Sequence, residues 1–171
     1  LWSIGQQLKD AGILFHPGVN EDLAATAIAG TQQFDQVPGA RHDGVFAAWY
    51  GKGPGVDRSG DAFKHGNHAG AHAKGGVVLF YGDDHAGKSS TVAYQSEQAL
   101  AAHLIPSFYP ANVGEIVHFS LMAFALSRHS GLWTAVKCVT EVVEQTATVD
   151  IALDDFRALL PDVANVPPEG L

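Results

Sequence analysis

Hydrophobic and polar positions along the chain alternate between short apolar runs and stretches with the three-to-four-residue spacing of helices. The strongest apolar run lies at 75–82, where no polar residue interrupts the sequence from Val77 to Tyr81. Successive side chains of a strand point to opposite faces, so an unbroken apolar run predicts a strand buried on both faces, as in a parallel sheet. We expect this strand to lie at the centre of the sheet.

Weaker apolar runs predict further strands, and helical spacing predicts helices between them. The further strands are predicted at 13–16, 44–50, 106–109 and 132–139, and the helices at 1–11, 21–34, 57–67, 91–104 and 113–129. Asn20 and Asn112 stand directly before two of these helices, where an asparagine side chain caps free backbone N–H groups. Strands separated by such helices form right-handed crossovers, so the sequence predicts an α/β fold, a three-layer α/β/α sandwich with a mainly parallel sheet.

Length and composition indicate one globular domain without a nucleic-acid or membrane partner. The 171 residues include 18 acids and 10 bases, a net charge of −8, whereas nucleic acid or an anionic membrane requires a basic face. The apolar runs are too short to cross a bilayer. Because Cys138 is the single cysteine, an internal disulfide is excluded and a cytoplasmic protein is favoured. We interpret residues 1–171 as a single, partial domain of a longer polypeptide, with an extension or linker from about residue 150.

The segment 51–76 departs from the alternation of strands and helices. It contains eight glycines among many charged residues and histidines, directly after the predicted strand at 44–50. Open α/β sheets bind ligands at the carboxyl ends of their strands, which favours a binding loop with a short helix. A mobile surface loop is the alternative interpretation.

Residues Gly82–Ser89 satisfy the phosphate-loop pattern GxxxxGK[ST] between a predicted strand and a predicted helix. Such a loop binds phosphate by turning bare backbone N–H groups toward the anion. Asp83 and Asp84 place two carboxylates in that position, and the strand at 132–139 does not end in an aspartate that could hold magnesium. A nucleotide site is therefore retained only as an alternative.

Three histidines, His65, His68 and His72, are spaced like one face of a helix. A zinc site would need one or two further ligands with fixed supporting contacts, and intervening glycines weaken the helix that would align the rings. We therefore expect no metal site in this chain. Cys138 falls in a predicted buried strand and is expected to be a small core residue, not a nucleophile.

Three separated motifs occur in a fixed order along the chain. They are HPGVNEDLA at 16–24, WYGKGPGVDRSGD at 49–61, and GDDH followed by KSS at 82–90. In this order they closely resemble the N-terminal region of the long, fused indolepyruvate ferredoxin oxidoreductases of bacteria. The resemblance runs from about residue 4 to about residue 150 and so covers most of the chain.

The resemblance implies a thiamine-diphosphate-binding fold of the pyrimidine type, a parallel sheet of about six strands whose N-terminal strand we expect to be missing here. It also implies an oxidoreductase that converts an aryl 2-oxoacid such as indolepyruvate to its acyl-CoA. In such domains a glutamate at the start of a helix binds N1′ of the cofactor's aminopyrimidine, and the matching residue is Glu21. Taken alone, Glu21 is better explained as a first-turn acid that stabilises a helix dipole; the resemblance, with its position after a predicted strand and a Pro-Gly turn, favours the cofactor role instead.

Further site residues follow from the same resemblance. The segment 51–61 matches one that passes beside the cofactor, so Gly51, Lys52 and Gly53 are expected to contact it. The expected substrate-binding residues are Lys52, Arg58, His85, Lys88 and Ser89. Within this segment, Lys52 and Arg58 are the cations expected to bind the substrate carboxylate.

Other parts of the implied enzyme have no counterpart in the sequence. Gly82-Asp83-Asp84 with Asn112 imitates the motif that holds diphosphate and magnesium, but Asp84 replaces a glycine and Asn112 has a sufficient role as a helix cap. We therefore expect the diphosphate, magnesium and iron–sulfur clusters to be held by other domains of the same enzyme, which uses coenzyme A and ferredoxin and forms a homodimer. The isolated chain is expected to be inactive. The alternatives are a phosphate-loop nucleotide site and a non-catalytic scaffold domain of the same fold.

Overall fold

The computed structural model describes residues 1–150 and 156–159, which form an α/β fold around one parallel sheet. Its four strands are β1 (Phe46–Lys52), β2 (Gly76–Asp83), β3 (Ser107–Phe108) and β4 (Thr134–Val139), in the spatial order β1-β2-β4-β3. The α-helices are α1 (Gly5–Asp10), α2 (Glu21–Gln32), α3 (Gly53–Arg58), α4 (Gly60–Ala69), α5 (Glu97–Ala102), α6 (Val113–Ser130) and α7 (Thr140–Val143). The prediction of an α/β fold with a parallel sheet is confirmed.

Strand β2 is the centre of this sheet. It pairs in parallel with β1 along the whole of β1 and with β4 from Val78 to Asp83. Val77, Val78 and Leu79 are completely buried. Because these side chains alternate between the two faces, the apolar layers on both sides of the sheet meet on β2, as its uninterrupted apolar sequence predicts.

The larger core lies on the face covered by α2, α3, α4 and α5. Phe63 of α4 packs edge-on against two indoles, with ring centroids 4.9 Å from Trp49 of β1 and 6.3 Å from Trp133 at the start of β4. All three rings are at most 2% exposed. Gly66 faces the Trp133 ring where a Cβ would collide with it, so α4 lies closer to the sheet than a larger residue would allow.

Helix α6 covers the opposite face. Its Ala123 packs with Val78 and Val136, and Ser127 accepts a hydrogen bond from the backbone N–H of Val77 at 2.9 Å. Helices therefore lie on both faces of the sheet, which confirms the layered arrangement. On this second face Phe46 of β1 stays 57% exposed, because α6 lies mainly over β2 and β4.

Two helices begin where their capping residues predict. The Asn20 side chain accepts a hydrogen bond from the Leu23 N–H at 2.9 Å, and Asn112 accepts one from the Glu115 N–H at 3.0 Å. Each cap satisfies a backbone donor that the helix itself leaves unpaired. Among the described residues, no helix has the length and apolar character to cross a membrane.

Other predicted elements differ from the structure. Residues 13–16 form no strand, and Leu14 is 89% exposed, since a strand needs a neighbour and the described sheet has only four strands rather than about six. The helix predicted at 91–104 shortens to α5, because Tyr94 and Ser96 donate their backbone N–H groups to residues 84 and 83 instead of to a helix. The predicted extension from residue 150 lies mostly outside the described residues.

The packing of Phe63 between two tryptophans generates a stability prediction. We expect Phe63→Ala to lower the free energy of unfolding by about 3–5 kcal/mol, because it removes a completely buried ring and leaves a cavity that two indoles cannot refill. Phe46→Ala deletes the same ring from a position that is 57% exposed and should lower the free energy of unfolding much less. Urea unfolding followed by circular dichroism measures both, and equal losses would contradict this account of the core.

Candidate functional site

Polar residues concentrate at the carboxyl ends of β1, β2 and β4, which meet at one edge of the sheet. Open α/β sheets bind their ligands at this edge because the loops that leave neighbouring strands diverge there. At this edge the predicted site residues fall into two groups, one around Glu21 and one around the loop that follows β2.

Glu21 lies in the first turn of α2, and its backbone is fixed to β1. The indole N–H of Trp49 donates a hydrogen bond to the Glu21 carbonyl at 3.0 Å. The loop after β1 passes so close that a Cβ on Gly55 would lie 2.7 Å from Cγ of Glu21. The absence of a side chain at Gly55 therefore leaves room for the Glu21 side chain, which is 41% exposed at the carboxyl end of β1.

Arg58, at the end of α3, pairs with acids of α2. Its guanidinium lies 3.8 Å from a carboxylate oxygen of Glu21 and 3.8 Å from one of Asp22. The arginine side chain is 57% exposed, so each ion pair contributes little to stability. The structure thus places a predicted substrate-binding cation beside the predicted catalytic acid.

A surface cavity of about 330 Å³ opens beside this pair, between α2 and α4. Asp22 and Arg58 line it, together with Thr26, Asp61 and His65. Glu21 borders this region through its contact with Arg58 but does not line the cavity. The cavity therefore reaches the residues next to the predicted acid.

The second group is the loop after β2, and Lys52 joins it to β1. The Lys52 ammonium donates to the Ser89 carbonyl at 2.9 Å and lies 3.3 Å from the Ser90 hydroxyl. Gly53 permits the ring of Tyr94 to lie against the backbone after β1, where a Cβ would overlap it. The predicted residues Gly51, Lys52, Gly53 and Ser89 are thus close together, although Lys52 is already bound to the loop.

Asp84 organises this loop from within. Its carboxylate accepts hydrogen bonds from the backbone N–H groups of Lys88, at 2.9 Å, and of Ser89. These bonds, with that from Ser89 the strongest, hold the pKa of Asp84 below its usual range. The N–H groups that a phosphate loop would turn toward a nucleotide are therefore occupied by a carboxylate of the same chain, which argues against the nucleotide alternative.

Below the loop lies a buried charged cluster that the sequence analysis did not identify. Lys137 of β4 is 1% exposed and contacts the carboxylates of Asp83, at 3.4 Å, and of Glu97. Asp83 also accepts hydrogen bonds from the Ser96 backbone, at 2.7 Å, and from the Ser96 hydroxyl, at 2.6 Å. The one sequence signal for this cluster was a lysine inside an otherwise apolar strand.

Lys137 holds the carboxylate of Glu97, and His85 lies beside that carboxylate. Burial raises the pKa of Glu97, but the hydrogen bond and charge of Lys137 outweigh burial and leave that pKa below its usual value. His85, one of the predicted site residues, thus belongs to the group at this edge that also contains Asp83. Lys88 points elsewhere, because its ammonium pairs with Glu144 at 3.3 Å.

Several of the remaining candidates contact other residues of the chain. Asn112 is occupied as the cap of α6, so Asn112 and Asp83 do not form the magnesium motif that the sequence imitates. His65 and His72 pair with Asp61 and Asp35 respectively. Cys138 is half-buried in β4, and burial raises the pKa of its thiol, in agreement with a packing role.

The burial of Lys137 generates a test of the cluster. We expect Lys137→Met to lower the free energy of unfolding by about 3–5 kcal/mol, because it leaves the buried Asp83 carboxylate without a compensating cation. Lys88→Met removes a lysine whose pair with Glu144 is exposed and should cost at most about 1 kcal/mol. Chemical unfolding of both variants decides this; similar small losses would mean that Asp83 does not depend on Lys137.

Comparison with known proteins adds no assignment to this geometry. No protein-family profile matches the chain, and no curated protein matches it at a significant level. The function is therefore argued from the residues at the carboxyl edge of the sheet and from the motif resemblance.

Proposed function

We propose that the chain is the pyrimidine-binding domain of a thiamine-diphosphate-dependent 2-oxoacid:ferredoxin oxidoreductase that acts on an aryl 2-oxoacid such as indolepyruvate. The observation that carries the proposal is the position of Glu21, a partly exposed carboxylate in the first turn of α2 at the carboxyl end of β1. The resemblance implies a glutamate at this place for N1′ of the cofactor. A thiamine-diphosphate-binding fold of the pyrimidine type is part of the same proposal, and the parallel sheet with helices on both faces is compatible with it.

The residues around Glu21 fit an aminopyrimidine. A carboxylate that stands 41% exposed can accept a hydrogen bond from the protonated ring nitrogen of an aminopyrimidine. Gly55 adds no side chain in the space against Glu21. Thiamine diphosphate, when bound, would supply the decarboxylation chemistry, and the protein would supply binding and orientation.

Within this chain, Glu21 has the role of holding a proton at N1′, and the surrounding residues position its carboxylate. Trp49 fixes the backbone of Glu21, and Arg58 attracts its carboxylate from α3. An amide at this position would keep a hydrogen bond but lose the basicity. A Glu21 side chain buried against the core would rule out the cofactor role, and its partial exposure is compatible with that role.

Substrate binding by the predicted cations requires them to change partners. Arg58 pairs with two acids, Lys52 binds the loop after β2, and Lys88 pairs with Glu144. We propose that Arg58 exchanges its exposed ion pairs, which cost little to break, for a 2-oxoacid carboxylate, and that Lys52 exchanges its exposed hydrogen bonds to the loop. His85 and Ser89 lie at the same edge and complete the proposed cleft.

The diphosphate half of the site is assigned to another domain. Asp83 and Asn112, which imitate the diphosphate motif in sequence, already have hydrogen-bond partners in the core and at the α6 cap. The complete enzyme is proposed to bring magnesium and iron–sulfur clusters from its other domains, to use coenzyme A and to reduce ferredoxin, as a homodimer. The chain alone would then lack activity.

Glu21→Gln tests the catalytic role in the complete enzyme. We expect turnover to fall by about a hundredfold to ten-thousandfold, because the amide cannot act in proton transfer, while the free energy of unfolding changes by about half a kcal/mol. The measurement is steady-state reduction of ferredoxin or a dye with indolepyruvate, beside a thermal melt.

Asp22→Asn is the matched control. It removes the same charge one residue further along α2 and loses the same kind of contact with Arg58. Turnover should stay within a few-fold of the unmodified enzyme. Near-normal turnover of Glu21→Gln would remove Glu21 from the mechanism, and a collapsed melting temperature would assign it a structural role.

The occupied state of Asp83 and Asn112 predicts weak cofactor binding by the isolated chain. Without diphosphate and magnesium ligands, only the pyrimidine contacts remain, so we expect weak or undetectable binding of thiamine diphosphate. Isothermal calorimetry with and without magnesium measures this. A magnesium-dependent micromolar affinity would contradict the assignment of the diphosphate to another domain.

A further inference from the structure

Six buried side-chain polar atoms have no hydrogen-bond partner among the described residues. Two of the six, Nε2 of His85 and Oε2 of Glu97, belong to residues beside Asp83 at the carboxyl edge. Leaving a buried donor or acceptor unpaired costs about 1–3 kcal/mol, so folded proteins contain few of them. Because both residues lie beside the same carboxylate, these two atoms are candidates for one shared ligand.

The two atoms belong to a compact set of three side chains. One ligand atom from each of Asp83, His85 and Glu97 lies within 4.8 Å of the other two. Asp83 ends β2 and Glu97 begins α5, and the hydrogen bonds from Ser96 to Asp83 tie these elements together. The set is therefore positioned by the sheet and a helix, with one member on a loop.

The donor atoms match a divalent transition-metal ion. One imidazole nitrogen with two carboxylate oxygens favours ions such as zinc, cobalt or manganese over magnesium and calcium, which prefer oxygen ligands throughout. An ion between His85 and Glu97 would satisfy both unpaired atoms at once. A bridging water molecule would satisfy the same two atoms, and titration with a metal ion distinguishes the two cases.

Lys137 contacts the same carboxylates from the other side. Its ammonium binds Oε1 of Glu97, which leaves Oε2 free, and it lies 3.4 Å from Oδ2 of Asp83. Metal-ligating carboxylates commonly have their second oxygen hydrogen-bonded, which fixes the orientation of the first. The ammonium also repels a nearby ion, so the affinity should be below that of a structural zinc site.

We propose that Asp83, His85 and Glu97 form a binding site for a divalent transition-metal ion, and that Lys137 orients the two carboxylates. Two carboxylates and one ammonium leave a charge of minus one around the site, which a divalent ion changes to plus one. This site does not contain Glu21 and does not rest on the proposed function, although it shares His85 with the proposed cleft. It revises the expectation from sequence that the chain holds no metal.

Titration of the 171-residue chain with Co²⁺ tests the site, because the visible absorption of the ion reports its ligands. We expect one saturable site per chain and displacement of Co²⁺ by Zn²⁺. His85→Ala should weaken the affinity by about tenfold or more, the effect of disturbing a metal site. Glu97→Gln should do the same and leaves Asp83 to pair with Lys137.

His65→Ala is the control. His65 also lies near a carboxylate, at 3.3 Å from Asp61, but both side chains are exposed and neither belongs to the proposed site. Its affinity for Co²⁺ should equal that of the unmodified chain. His85→Ala removes no hydrogen bond among the described residues, so a thermal melt should show a folded variant. Absence of saturable binding at millimolar Co²⁺, unchanged affinity in His85→Ala, or a loss in His65→Ala would each overturn the proposal.

Discussion

The Asp83 carboxylate ends β2, the strand paired on both sides, where its charge must be balanced out of contact with water. Lys137 provides that balance from the neighbouring strand at 3.4 Å, and Ser96 supplies two hydrogen bonds from the chain that leads into α5. An unpaired charge at this depth would be strongly destabilising, so β2, β4 and the start of α5 keep their relative positions. The loop after β2 takes its path from these fixed ends.

Asp84 extends the same constraint by one residue. Its carboxylate gathers the backbone N–H groups of Lys88 and Ser89, and Lys52 binds the loop from β1. In a segment that satisfies a phosphate-loop pattern, the carboxylate of Asp84 thus occupies the backbone N–H groups that would otherwise bind phosphate. The pattern records which residue types are present, but the side chain of Asp84 decides what the loop binds.

The acids at this edge differ in what surrounds them. Asp83 and Asp84 accept hydrogen bonds from several donors, while Glu21 is partly exposed and pairs with a half-exposed arginine. A carboxylate with satisfied hydrogen bonds stabilises structure, and one that can still accept a ligand is available for chemistry. This contrast supports Glu21 as the residue for the proposed cofactor, and it leaves His85 and Glu97, with one unpaired atom each, for a separate ligand.

The sequence by itself determined the elements whose cause is local. The apolar run of β2 requires burial on both faces, and Asn20 and Asn112 cap the helices that follow them. Glu21 is predicted as a site residue from a motif resemblance and from its place after a cap, both visible in sequence. These features depend on neighbours a few residues apart, so pattern and spacing suffice to predict them.

Only the tertiary structure decided which polar residues meet. Lys137 reaches Asp83 and Glu97 because β4 lies beside β2, and the strand order follows from packing rather than from any local pattern. Residues 13–16 have the composition of a strand but remain unpaired, since pairing requires a neighbour that local sequence cannot provide. Charges separated by tens of residues in the chain were brought together by the sheet, and the cost of burying them fixed their partners.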